Sequence, residues 1–330
     1  MDGSGPRFVN APEPDGPTSG GPPPPGIPTT TQPVQLPLPG ESSRTPAQRA
    51  VRWVAIVAMA ATFGLFGGLA LQIGDGGPRS LARSESTLAV WTAEEGELVE
   101  LAYVRDDQAL ATDEALHAEL WAEWSELIPP YWSRRVTRFE IASDGPAGVA
   151  AAVQRLDDEG DRWLLAVDPV DAVENPDTYL QTLVHELAHI VTLGDGRVVI
   201  DRRPAGTLVD QAERCDGPPT SEGCAADGSF IAAFSDRFWD LDRISGPDGV
   251  ATTGDREAAT IERYLAARDD YVSAYAASTP GEDIAESFVA LAFDLPQAPG
   301  SVAGRKVAFL RADAELFAIA DRIREVLRDR

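Results

Sequence analysis

Lysine is almost missing from this chain of 330 residues: Lys306 is the only one, and arginine supplies the rest of the 28 basic side chains. Against 53 acidic residues, the formal net charge is -25 and the pI about 4.4. Such a surface repels phosphate backbones, so no nucleic-acid partner is expected. Cysteine is limited to two residues, Cys215 and Cys224, in the Gly/Pro-rich run "ERCDGPPTSEGC". Two sulfurs without a nearby histidine fall short of a structural zinc site, whereas a short closed loop in an oxidising compartment suits a disulfide. Histidine is limited to three: His117, His185 and His189.

The ends of the chain differ in composition. Residues 1–50 are dominated by Pro, Gly, Ser and Thr, including "GGPPPPGIPTTTQPVQLPLPG". They carry too little apolar surface to fold and read as a disordered, polyproline-like tail; its partner is unknown and could be a proline-recognising module. Residues 51–74 follow, with 21 uncharged residues from Trp53 to Ile73. A helix of that length rises about 30 Å, enough to cross a bilayer. Arg44, Arg49 and Arg52 precede it, which places the N-terminus in the cytoplasm and the remainder outside. The run is long for a signal peptide and its leader unusual, so an uncleaved single-pass anchor is expected over a cleaved signal. That orientation agrees with a disulfide.

Residues 75–111 read as a connector with short strands around "TLAVW" and "ELVELAYV", and residues 112–330 as one α+β domain. Its first helix is expected to start at Thr112 as N-cap and to bury Leu116, Leu120, Trp121, Trp124 and Leu127. His117 on that helix reads as an ordinary surface or half-buried side chain. Segments 134–143 and 161–169 have strand composition, with a short helix, "GPAGVAAAVQRL", between them. Asn175 as N-cap, Pro176 at the first position and Gly194 at the end bracket a helix that carries both remaining histidines. Residues 195–253 read as a largely irregular insertion. Helices are expected again in 255–278, 282–295 and 304–329.

The stretch "TLVHELAHIVTLG" (182–194) carries the chemistry. Residues four apart share a helix face, so His185 and His189 can put two imidazole nitrogens on one ion. Glu186 stands between them where it can reach a bound water. This is the H-E-x-x-H arrangement of zinc hydrolases, with the glutamate as general base. The alternative is a helix with two satisfied histidines. It is disfavoured because the flanks are apolar, and buried histidines and a carboxylate are costly without something to satisfy them. A catalytic zinc takes three protein ligands and keeps one position open. Glu282 and Glu286 share a face of the next expected helix. One can ligate while the other orients a histidine; taken alone the pair would read as a solvated face at a helix start.

"HELAH" at 185–189, Tyr275 in "SAYA" and "EDIAESF" at 282–288 together resemble gluzincin-type zincin metallopeptidases, in the pattern of the anthrax lethal factor catalytic domain. The resemblance covers about residues 112–329. It implies a zincin-like domain: a small mixed sheet, an active-site helix and a helical C-terminal subdomain. It also implies one catalytic Zn2+ on His185, His189 and Glu282, with Glu286 holding His185 and Tyr275 donating to the oxyanion. Expected activity is hydrolysis of a peptide or protein substrate lying extended along a sheet edge near 162–167. A membrane-anchored binding or scaffolding domain with a structural zinc is the rival reading. The insertion at 195–253 does not align with the family pattern and leaves substrate choice open.

Overall fold

The computed structural model describes residues 86–145, 148–200, 214–220, 223–239 and 253–330. The expected tail and transmembrane segment lie outside these residues. Among the described residues no helix is long and apolar enough to cross a membrane.

The two short strands read in the connector are eight residues each, β1 Thr87–Glu94 and β2 Glu97–Val104, and they form a hairpin. Its two turn residues, Glu95 (φ 50°) and Gly96 (φ 89°), both take the left-handed conformation that matches strand twist across a two-residue turn. A single turn of helix, α1 Ala109–Thr112, leads into α2 Glu114–Leu127. The cap of α2 is Asp113, not Thr112: its carboxylate accepts from Leu116 N at 3.1 Å, and the extra negative charge suits the helix start. Leu120, Trp121, Trp124 and Leu127 are buried as their spacing predicts. His117 is fully buried, contrary to expectation. Nδ1 accepts from Trp91 Nε1 (3.0 Å) and Nε2–H donates to Leu110 O (2.8 Å), so a neutral imidazole is satisfied on both sides.

After α3 Pro130–Ser133 come β3 Val136–Ala142, β4 Ala151–Arg155 and β5 Trp163–Val167. The sheet order is β2-β1-β3-β5-β4, with β3 and β5 parallel and the other pairs antiparallel. Two expectations fail here. The alanine-rich segment expected as a helix contains β4, because pairing with β5 and burial of Ala150 and Ala151 outweigh the helix preference of alanine. Consequently β5 is interior, and the free edge on that side belongs to β4 rather than to residues 162–167.

The remaining elements are α4 Pro169–Glu174, α5 Pro176–Leu193, a ribbon of β6 Val198–Ile200 with β7 Gly223–Ala225, α6 Phe230–Phe238, α7 Thr253–Ala266, α8 Pro280–Ala292, α9 Val302–Ala312 and α10 Ala314–Arg328. The helix expected over 255–278 ends at Ala266, and two short 3-10 turns at 268–270 and 275–277 follow. Within the insertion, Cys215 and Cys224 form the expected disulfide, and α6 buries Ile231 and Phe234. Helix α5 is buried on all sides from Thr182 to Leu193 and packs against β4 and α8, which makes it the central rod of a mixed α/β domain.

Candidate metal centre

Two helices bring the site together. Asn175 and Pro176 start α5 where the sequence predicts, although the Asn175 side chain makes no cap bond and turns to Asp171 instead. From the middle and later turns of the helix, His185 and His189 project toward α8. That helix is capped by Thr279, whose hydroxyl accepts from Glu282 N at 3.2 Å, and Pro280 occupies its first turn. Glu282 thus sits at a positive helix end, where a carboxylate is favoured.

His185 Nε2, His189 Nε2 and Glu282 Oε2 form a triangle with sides of 2.9, 3.1 and 3.2 Å. Glu286 Oε1 lies 2.8 Å from His185 Nδ1. A carboxylate only accepts, so Nδ1 carries a proton, and Nε2 faces the triangle. Nitrogen and oxygen atoms converging at this range repel one another unless a proton or a metal cation lies between them. Tetrahedral zinc, with N and O ligands at about 2.0–2.1 Å, spaces them about 3.3 Å apart, close to the sides found. The residues therefore fit a metal ion, and this group is one of two among the described residues that could hold one. The other, Asp144, Asp168 and Asp171, is acidic throughout; Asp168 accepts from Val170 N and Asp144 N and caps α4.

The local field also calls for positive charge. Burial lowers the pKa of His185, but Glu282 and Glu286 outweigh it and hold the imidazole well above its ordinary value. Burial lowers His189 too, and the Glu282 charge more than restores it. Burial raises Glu282, yet both histidines together hold it well below the usual carboxylate range.

Glu186 is buried beside the triangle, and burial raises its carboxyl against the opposing pull of both histidines. Its Oε2 accepts from Val153 N in β4 at 2.9 Å, while Oε1 is buried with no hydrogen-bond partner. The Tyr275 ring centroid lies 5.7 Å from that of His185, and its hydroxyl bonds Glu282. Burial, reinforced by the nearby carboxylates, keeps the phenol well above its ordinary pKa and therefore a proton donor. The structure thus gathers every site residue singled out in the sequence except the disulfide pair, which lies in the insertion.

One group in the same wall is absent from the sequence reading. Asp283, next to Glu282, pairs with Lys306 at 2.5 Å and accepts from Trp239 Nε1 at 2.8 Å, with both charges buried. Lys306 Nζ also donates to Asp270 O (2.7 Å) and lies 4.1 Å from the Tyr271 ring centroid. A sole lysine directly before the apolar run "VAFL" was the available signal. No protein-family model, curated protein or solved structure matches the chain.

Proposed function

We propose that the chain is a zinc metallopeptidase of the gluzincin type, with a zincin-like domain held outside the cytoplasm by an N-terminal membrane helix. The observation that carries this reading is the triangle of His185, His189 and Glu282, with Glu186 Oε1 unengaged beside it. Three side chains leave room for a water, as a catalytic site needs and a closed structural site does not. The disulfide supports an oxidising compartment.

Bound zinc would supply a water of lowered pKa and a Lewis acid for the scissile carbonyl. Glu186 Oε1 takes the proton of the attacking water and returns it to the leaving amine. The Tyr275 hydroxyl donates to the oxygen that becomes negative. Glu286 keeps the proton of His185 on Nδ1, so that Nε2 stays available to the metal. An extended peptide pairs with the free edge of β4.

The test uses the full-length protein: zinc content by elemental analysis, then cleavage of a peptide library. Glu186→Gln is expected to keep the metal and lose turnover, and Glu282→Ala to lose the metal. Wild-type protein without stoichiometric zinc would sink the reading. Full zinc in Glu282→Ala would move the third ligand to Glu286, since Asp283 is held by Lys306 and Trp239.

A further inference from the structure

Backbone groups on an edge strand alternate between the ladder and the free side. In β4, Ala150 O accepts from Asp168 N at 2.9 Å and Leu156 N donates to Arg162 O at 2.8 Å. Ala152↔Ala166 and Gln154↔Leu164 pair between them, so even-numbered residues give their amides to β5. The amides of the odd-numbered residues face the free edge, where an amide ordinarily meets water. The Val153 amide instead donates to Glu186 Oε2 at 2.9 Å.

We propose that the Val153 main-chain amide positions the general base. It engages one carboxylate oxygen and so fixes which of the two, Oε1, is presented to the water beside His185, His189 and Glu282. This rests on the peptidase reading above. A carboxylate on a rotatable stem has several orientations open to it, and a charge-assisted bond from a donor without rotamers selects one. The group is invisible in the sequence because every residue except proline supplies it.

Val153→Pro in the full-length protein removes this donor without touching the ladder, a place where edge strands tolerate proline. Val153→Ala, which keeps the amide, accounts for the side chain. Expected for Val153→Pro is stoichiometric zinc, a melting temperature like that of Val153→Ala, and a kcat lower by at least about tenfold with little change in KM. Equal kcat in the two variants overturns the proposal. So does a loss confined to KM, which would make the amide a substrate-docking group. If the proline variant does not fold, amide hydrogen exchange reads the same bond: Val153 is protected in wild type and exposed in Glu186→Ala, while Ala152 and Gln154 stay protected in both. Equal exchange at Val153 in both proteins overturns the proposal. Exchange requires no turnover, so a wild-type chain that cleaves nothing sinks the peptidase reading and leaves the Val153–Glu186 contact to be judged separately.

Discussion

Replacing Lys306 by Met isolates one buried charge. The ammonium pairs with Asp283 at 2.5 Å, and both side chains are at most 1% exposed. Burial pushes the Asp283 carboxyl up to about 7 against the pull of Lys306 and Trp239, and it lowers Lys306 against the pull of Asp283. The pair therefore recovers only part of its own desolvation, and the larger cost appears when one partner is left alone. Lys306→Met leaves Asp283 with Trp239 Nε1 on Oδ2 and nothing on Oδ1. Removing one member of a buried pair costs about 3–5 kcal/mol. At about 2–4 °C per kcal/mol for a domain of this size, the melting temperature should fall by about 6–20 °C. The assay is thermal unfolding by circular dichroism at pH 8, in chelator, so that the unfolded chain has Asp283 ionised and metal binding does not contribute. Adding Asp283→Asn removes the stranded carboxyl, whether it stays charged or has to take up a proton, and keeps an acceptor for Trp239, so the double variant should recover most of the loss. A single variant that melts within about 3 °C of wild type would refute the reasoning. So would a double variant no more stable than the single one.

Three further outcomes are expected. Glu286→Gln weakens the hold on His185 Nδ1 and should lower zinc affinity by about 10–100-fold, measured by competition with a chelator; unchanged affinity would contradict the orienting role. Burial raises the Glu140 carboxyl above its ordinary 4.5, against the hydrogen bond from Thr87. The native state therefore holds that proton more tightly than the unfolded chain, and stability is lost as pH rises through the window above 4.5. Glu140→Gln should escape this loss, so its urea midpoint relative to wild type should improve from pH 4 to pH 7; a constant difference would refute the shift. Replacing Cys215 and Cys224 by Ser opens a loop of sequence separation 9. It should lower unfolding free energy by about 2–3 kcal/mol on the chain-entropy account, read from urea titrations, while zinc content stays at wild-type level.

The site was more legible in the sequence than the sheet was. His185, Glu186 and His189 are local: helix periodicity alone puts them on one side of a rod, and Asn175, Pro176 and Gly194 mark its ends. The four-residue spacing offered Glu282 and Glu286 together as partners on another helix, and the choice of Glu282, 93 residues beyond His189, was what the resemblance to gluzincins implied. β4 was not legible, since Ala150, Ala151 and Ala152 favour helix locally and only the neighbouring β5 draws them into a strand. The Val153–Glu186 bond was hidden for a related reason: main-chain donors leave no mark in side-chain pattern. Asp283 stands next to Glu282 in the sequence with nothing to mark a partner, and only the fold shows that Lys306, on a different helix, is buried against it.

Lys306 also sets the protein's chemistry toward amine reagents. It is the chain's only lysine and is 1% exposed. Acylating agents, biotinylation reagents and enzymes that modify lysine find no accessible lysine side chain on the native domain. Labelling of Lys306 would therefore report opening of the wall behind Glu282, with no engineered probe required.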